Sequence, residues 1–451
     1  MSQPASDASP AAPLFPPIEP EDVPLNAERA AEIERQGPRN LFVLAMYQVV
    51  VRVGWIFKTE TVIMPAFLDA IAGAGWLRGC LPVLNRLGQS VPPLLFAERL
   101  QHMPRKKWAM VTTALLMAVP FVILSPLWLG LGHFEVQRAN TWWLPVVFLL
   151  LYGFFFSMTG LNQLSFSTLQ GKLIQANRRG RLMTLAGLIG SGAAILCAWL
   201  LLPSWLEREG GGFGLIFGMT AFGFASSASI ALFVKEPLDE VPKRKASPLK
   251  EHFRRAFKTY SEDRNFRRLV WVSLLFMSAM MLFPHYQALG REELGCEQKD
   301  LLAFLIAQNV GTGVFSLLSG SIADRFGNRL CLRVCIFLAA SAPLLALGLA
   351  YGWIPGGHDW YWVTFLMLGL TPLTIRCLVN YALELVDEVG HTRYVSTLTL
   401  TMALPFLFSP LVGWLVDLWG FASVFLGATM LILAGGLMTY ILIEPRHAQD
   451  V

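Results

Sequence analysis

Two arginines stand in the middle of largely apolar runs: Arg52 in YQVVVRVGWIF and Arg376 in LTPLTIRCLVN. A guanidinium stays charged at any physiological pH and grips carboxylate, phosphate or sulfate groups with two parallel hydrogen bonds. Around Arg52, residues Gln48, Trp55 and Thr59 complete one helical face at i, i+4, i+7 and i+11, while Lys58 and Glu60 fall on other faces. Around Arg376, Asn380 and Glu384 follow at i+4 and i+8, with Pro372 and Thr374 nearby. Other apolar runs carry Asn162, Gln163, Ser165, Ser167 and Thr168, then His285 beside Pro284, and Gln308, Asn309 and Thr312.

An ionisable group at membrane depth costs about 2.5–3.5 kcal/mol on insertion scales, so it faces a cavity or a partner. Two readings stay open for the arginines. They face one cavity and hold an anion, or each pairs with an acid, Glu60 or Glu384, and ties helices together. Glu60 and Glu384 are the carboxylates placed for proton coupling, though Glu60 is as well placed for a salt bridge to Lys58, Arg86 or Arg78. His285 is the one mid-run group that titrates near neutral pH, or it is a neutral packing residue.

The elements that must position these groups are membrane-spanning helices. Of 451 residues, 54% are hydrophobic and only 15% charged, too few charges to coat soluble domains of that total size. The apolar residues come in blocks of the ~20 residues that a helix needs to cross the hydrocarbon. The expected spans are Leu41–Leu68, Trp76–Arg99, Lys107–Leu129, Trp142–Gln170, Arg181–Leu202 and Phe213–Val234. After them come Phe266–Leu289, Asp300–Ala323, Arg329–Tyr351, Trp360–Val386, Val395–Val416 and Gly420–Ile443. The expected fold is an all-α polytopic membrane protein, twelve transmembrane helices in two pseudo-symmetric six-helix bundles.

This divides the chain into a disordered tail (1–39), a first bundle (40–234), a basic linker (235–265), a second bundle (266–445) and a short tail (446–451). The first 25 residues, rich in Pro and Ala, have no apolar core and do not read as a signal peptide. In the linker, Leu249, Phe253, Phe257 and Tyr260 recur at helical spacing among Lys and Arg after Ser247-Pro248. That pattern is an amphipathic helix on the membrane surface or a plain connecting helix.

With the N-terminus inside, 27 of the 36 Lys and Arg fall in the tails and even-numbered loops. Five (Arg78, Arg138, Arg208, Arg291, Lys299) fall on the other side, and Arg52, Lys58, Arg86 and Arg376 lie within spans. That asymmetry places both termini in the cytoplasm and ascribes the net charge of +5 to membrane anchoring, with no nucleic-acid partner. The six cysteines show no metal-ligand or redox spacing, so neither a metal nor a cofactor is expected. Cys331 and Cys335 read as small apolar filler.

Three marks recur in order. Ala97-Glu98-Arg99 matches Ala323-Asp324-Arg325 at an offset of 226, and Leu173 to Arg181 resembles Leu385 to Arg393 at 212. Lys235-Glu236-Pro237 matches Ile443-Glu444-Pro445 at 208. A duplicated six-helix unit follows, and parallel repeats of that kind hold a site between them near the midplane.

From Asn40 to Pro445 the chain resembles the major facilitator superfamily, most sharply in GSIADRFGNR, Gly320 to Arg329. The resemblance implies a secondary transporter whose first, fourth, seventh and tenth helices line a central cavity. Gln48, Arg52, Thr59, Asn162, Gln163, His285, Gln308, Arg376 and Asn380 would then contact the solute. It also implies a gating latch of Gly320, Asp324, Arg325, Gly327 and Arg329, with Glu98 and Arg99 as its first-half copy. In that copy Leu94 replaces the Gly and Glu98 the Asp. GWLVDLWGF, Gly413 to Phe421, resembles the close of the eleventh helix and adds Asp417. The fifth helix lacks the Gly-Pro signature of the drug antiporters.

No Walker loop, HExxH or nucleophile elbow is present, so no enzyme or ATP pump is expected. The expected partners are a small solute, anionic if the arginines bind it, and membrane lipids, with the chain a monomer in the plasma membrane (the inner membrane of a bacterium). The alternative is a non-transporting sensor or assembly factor on the same fold. Asp324→Asn is expected to slow turnover more than it weakens solute binding; a counterflow assay with unchanged turnover would remove the latch role.

Overall fold

The computed structural model describes residues 27–101, 103–131, 142–238, 249–386 and 390–444. The expected tail up to residue 26, the linker stretch 239–248 and residues 445–451 lie outside the described residues. Every regular element among the described residues is helical. The first half holds α1 (Ala27–Ile56), α2 (Ile63–Ile71), α3 (Gly75–Gln101), α4 (Lys107–Leu131), α5 (Leu144–Leu173), α6 (Ala176–Leu206) and α7 (Phe213–Ala231). A connecting helix, α8 (Leu249–Glu262), leads to the second half: α9 (Arg264–Phe276), α10 (Ser278–Met281), α11 (Phe283–Leu294), α12 (Asp300–Ala350), α13 (Gly357–Trp360), α14 (Trp362–Leu368), α15 (Thr371–Glu384), α16 (His391–Ala403) and α17 (Ser409–Met438).

Among the described residues, eight helical rods are long and apolar enough to cross a membrane. Two of them are double. α12 turns back on itself at Gly327 (φ 85°) and α17 at Gly420 (φ 76°), positive angles that a side chain would strain. The first crossing is pieced together from α1 and α2. α3 is diluted by Arg78, Asn85, Arg86 and Gln89 and crosses inside the bundle, packed between α5 and α17. With the two doubled rods divided at their bends and α1–α2 and α3 added, the described residues are compatible with the expected six segments in each half.

Three expectations need correction. The 1–39 segment was expected to be a tail, yet α1 begins at Ala27, because AERAAEIERQ is made of strong helix formers. The first span was expected to be one helix from Leu41 to Leu68, yet it breaks between Ile56 and Ile63, where the hydroxyl and carbonyl of Thr59 accept the amides of Ile63 and Met64 and restart the helix. The seventh, tenth and eleventh spans are discontinuous too. Pro284, Pro372 and Pro410 each lie in the first turn of a restarted helix, where a missing N–H costs nothing.

The duplication is visible in hydrogen bonds. Asn40 holds Lys235 by both of its backbone groups: the side-chain amide donates to the carbonyl at 2.8 Å and the side-chain oxygen accepts the amide N–H at 2.9 Å. In the second half Asn265 does the related job, accepting the N–H of Ile443 at 3.1 Å and donating to the Tyr381 hydroxyl at 2.9 Å. The next residues correspond as well. Glu236 accepts the N–H groups of Lys106 and Lys107 at 3.0 and 2.7 Å, capping α4, and pairs with Lys172 at 2.8 Å. Glu444 pairs with Arg329 at 3.2 Å beside the Gly327 bend. In each half, then, an Asn near the start of the first crossing ties down the end of the sixth.

These bonds lie at the end of the bundle that carries most of the Lys and Arg, called the basic end below. There the second half keeps a core of its own around Phe266, Leu332, Tyr381 and Leu398. Toward the opposite end one core runs through both halves, from Phe67, Phe148 and Phe217 to Tyr286, Phe304, Tyr361 and Phe425. Removing a buried hydrogen-bond partner costs about 1–3 kcal/mol, so Asn40→Ala and Asn265→Ala should each lower the melting temperature of the detergent-purified protein. Unchanged melting in both would show that the two ties carry no stability.

Candidate functional site

Arg52 on α1 and Arg376 on α15 belong to opposite halves and are both exposed, although each sits mid-helix. Their charges are close enough to act on one another. Among the described residues neither guanidinium has a salt-bridge partner: Glu384 instead accepts the Asn328 amide at 2.8 Å near the Gly327 bend, and Glu60 is engaged elsewhere. Asn380, one turn beyond Arg376, and Gln163 on α5 are exposed as well, while Gln48 is half-buried. Arg52 packs its stem against Gly190 of α6.

The break between α1 and α2 gathers the other charges. Lys58 is 1% exposed, its ammonium 3.5 Å from the ring centroid of Trp55 and 4.2 and 4.7 Å from those of Phe156 and Phe155. Such an aromatic cage stabilises a desolvated cation. Glu60 Oε2 accepts the Asn85 amide, and Asn85 in turn accepts the Gln89 amide, both on α3. The Tyr152 hydroxyl lies beside Glu60. Thr61 donates to Gln308 Oε1 of the second half at 2.5 Å, and Arg86 reaches Met280 Sδ at 3.1 Å.

Further from the basic end the halves are clamped. Arg78, 1% exposed, meets Asp69 at 2.9 Å, Glu292 at 3.2 Å and Asp417 at 3.9 Å. Arg291 reaches the other oxygen of Asp69 at 3.3 Å. Asp69 and Arg78 come from the first half; Arg291, Glu292 and Asp417 come from the second. Asp417 also accepts the N–H groups of Gly75 and Trp76 at 2.8 and 3.2 Å, placing a carboxylate on the positive N-terminus of α3. Gly75 and Gly413 let the two backbones touch, and a Cβ on either would collide with the other's main chain.

The expected site residues therefore separate. Arg52, Gln163, Arg376 and Asn380 share exposure, and Thr59 and Gln308 sit by the break. Asn162 turns into the first bundle, where it accepts from Tyr47 at 2.7 Å and donates to Met110 and Thr113. His285 is fully buried with both ring nitrogens lacking a hydrogen bond, and it stands within reach of the Arg78 charge. Of the expected latch, Gly320, Asp324 and Arg325 are exposed, Gly327 forms the bend and Arg329 holds Glu444. Asp417 lies at the other end of the bundle. Arg99 is exposed, and the Glu98 side chain lies outside the described residues. Asp69, Asn85, Arg291 and Glu292 were not singled out in the sequence. Their only signal was an acid at 69 facing the sole basic residue of the next loop region, Arg78.

Breaking a buried ion pair from one side costs about 3–5 kcal/mol because the other charge is left uncompensated. Arg78→Met should therefore destabilise strongly, and adding Asp69→Asn should restore part of the loss. A double-mutant cycle in which the two losses simply add would dissolve the clamp.

Sequence and structure comparisons converge with this geometry. The family profile described as Major Facilitator Superfamily matches residues 59–370. Uncharacterized proteins of Mycobacterium bovis and Mycobacterium tuberculosis are each 26% identical over 389 residues, covering 82% of this chain and 70% of theirs. A point mutant of the nucleoside transporter NupG has a similar fold at a TM-score of 0.66 and 12% identity, over 89% of this chain and 99% of that one. A POT family transporter in complex with 5-aminolevulinic acid is similar at 0.64 and 15%, over 90% and 96%. A bacterial homologue of the iron transporter ferroportin, in its inward-facing state, is similar at 0.59 and 14%, over 90% and 98%. These likenesses are of fold. The profile covers more than two thirds of the sequence, and this multi-pass membrane chain belongs to the Major Facilitator Superfamily.

Proposed function

We propose that the chain is a secondary transporter that carries a small anionic or acid-bearing solute by alternating access between its halves. The observation that carries this reading is the pair Arg52 and Arg376: one guanidinium from each half, mid-helix, exposed, and without a carboxylate partner among the described residues. Two like charges at membrane depth repel each other, and an anion between them removes that repulsion while making charge-assisted hydrogen bonds to both. Because the two belong to different halves, the solute is bound by both and felt by both when they rock. Gln163 and Asn380 supply neutral hydrogen bonds to the same solute.

The basic end faces the cytoplasm on the charge rule, with both termini there and the protein in the plasma membrane as a monomer. The clamp at Arg78 then closes the outer side, and the separate cores at the basic end leave the arginines open to the cytoplasm. Glu60 takes the proton-coupling role. It lies in the broken first crossing, next to bonds that reach the second half through Thr61 and Arg86, so a change in its charge is communicated to both halves. The Gly320–Arg329 stretch acts as the latch of the cytoplasmic end.

A thermal-shift screen of purified protein against organic anions supplies a stabilising compound for proteoliposome uptake. Arg52→Ala and Arg376→Ala should each abolish its uptake with expression and melting retained. Glu60→Gln should keep binding and lose the acceleration by a proton gradient. Normal uptake in both arginine variants would end the anion reading. A wild type that moves none of its stabilising compounds would replace transport by sensing or assembly on the same fold.

A further inference from the structure

We infer that Cys296, Asp300 and His358 form a zinc site at the end of the bundle opposite the basic one. None of its three groups belongs to the arginine pair or to the Arg78 clamp, although Arg291 of the clamp lines the same pocket as Cys296. The thiol, the carboxylate and the imidazole offer donor atoms that all lie within 4.8 Å of one another. A tetrahedral zinc with bonds of about 2.0–2.3 Å sets its ligand atoms roughly 3.5 Å apart, so small side-chain rotations close these three around one ion. The set of one sulfur, one nitrogen and one oxygen is that of a borderline-soft divalent cation.

The backbone already holds the three groups in place. Gly295 ends α11 at φ 66°, and Cys296 N–H closes that turn on the Gly290 carbonyl at 3.1 Å. Asp300 Oδ2 accepts the N–H of Glu297 at 2.7 Å and lies 3.0 Å from His358 Nε2, so the carboxylate and imidazole face each other before any ion arrives. His358 belongs to α13, entered through Gly356 at φ 115°. The cysteine is buried, whereas the carboxylate is 17% and the imidazole 41% exposed. The site is thus walled on the sulfur side and open to water on the imidazole side, which leaves the fourth position for a water molecule. Asp359 lies 3.6 Å from His358 Nδ1 and adds negative potential, while the neighbouring Glu297 is paired with Lys299 at 2.9 Å.

On binding, the Cys296 S–H bond breaks, its proton leaves to solvent, and a zinc–sulfur bond forms as the ion sheds water. The ion then links the turn after α11, the start of α12 and the entry to α14. That turn also abuts the first half, where Gln298 lies against Gly211. A bound ion therefore stiffens the loop on which the two halves meet at this end.

The test uses the full-length protein, reduced and stripped with chelator, titrated with Co2+ as the spectroscopic probe and then with Zn2+. The expected result is one equivalent of Co2+ with a thiolate-to-cobalt charge-transfer band that Zn2+ abolishes, and a metal-dependent rise in melting temperature. Cys296→Ser should remove the band. His358→Ala and Asp300→Asn should each weaken affinity by about tenfold or more, with metal-free melting unchanged. If Cys296→Ser does not fold, His358→Ala decides. No saturable band, a band that survives Cys296→Ser (and so belongs to another cysteine), or wild-type affinity in His358→Ala would each overturn the site. None of these readouts depends on transport.

Discussion

A guanidinium taken out of water keeps its charge, so Arg78 has to be surrounded by carboxylates wherever it is buried. Those at hand belong to both halves: Asp69 nine residues earlier, Glu292 at the end of α11 and Asp417 near the bend of α17. Satisfying this one cation therefore brings the ends of four crossings together. Once they are together, Gly75 can touch Gly413, Asp417 can cap α3, and the aromatic core can run unbroken from Phe67 to Phe425. In lipid there is no hydrophobic pull between helices to do this, and packing and polar bonds must supply it.

At the basic end the opposite holds. The described polar ties there stay within one half: Asn40 with Lys235, Glu236 with α4, Asn265 with Ile443, Glu444 with Arg329. Each bundle is finished without help from the other. Among the described residues, the halves are thus tied to each other at one end and each to itself at the other.

Much of this was legible in the sequence. Hydrophobic blocks of crossing length were enough for the helical fold, and the three recurring marks for two related halves. The restarts at Pro284, Pro372 and Pro410 were passed over, because each proline sits inside an apolar run of crossing length that reads as one continuous span. The break after Ile56 was not announced, because Lys58, Thr59 and Glu60 carry no turn signal of their own, and tertiary partners satisfy them. The Asn40 and Asn265 ties were hidden because their offset of 225 differs from the 208 between Lys235 and Ile443, so no string aligns both. Asp69 and Arg78 share no helix face; only the turn between α2 and α3 brings them into contact. His358 lies 58 residues beyond Asp300, a spacing that no metal motif would flag.

The paired asparagine ties also bear on the order in which the chain is made. The partner of Asn40 is Lys235, at the end of the first bundle, and the bond spans 195 residues without using the second. The first bundle can therefore be closed and capped while the second is still being synthesised. Among the described residues, the polar ties at its basic end are made within the first bundle and the short stretch up to Pro237. The second bundle repeats the step when Ile443 emerges. The joining of the halves at Arg78, which needs residues from both, is left as the last event of assembly.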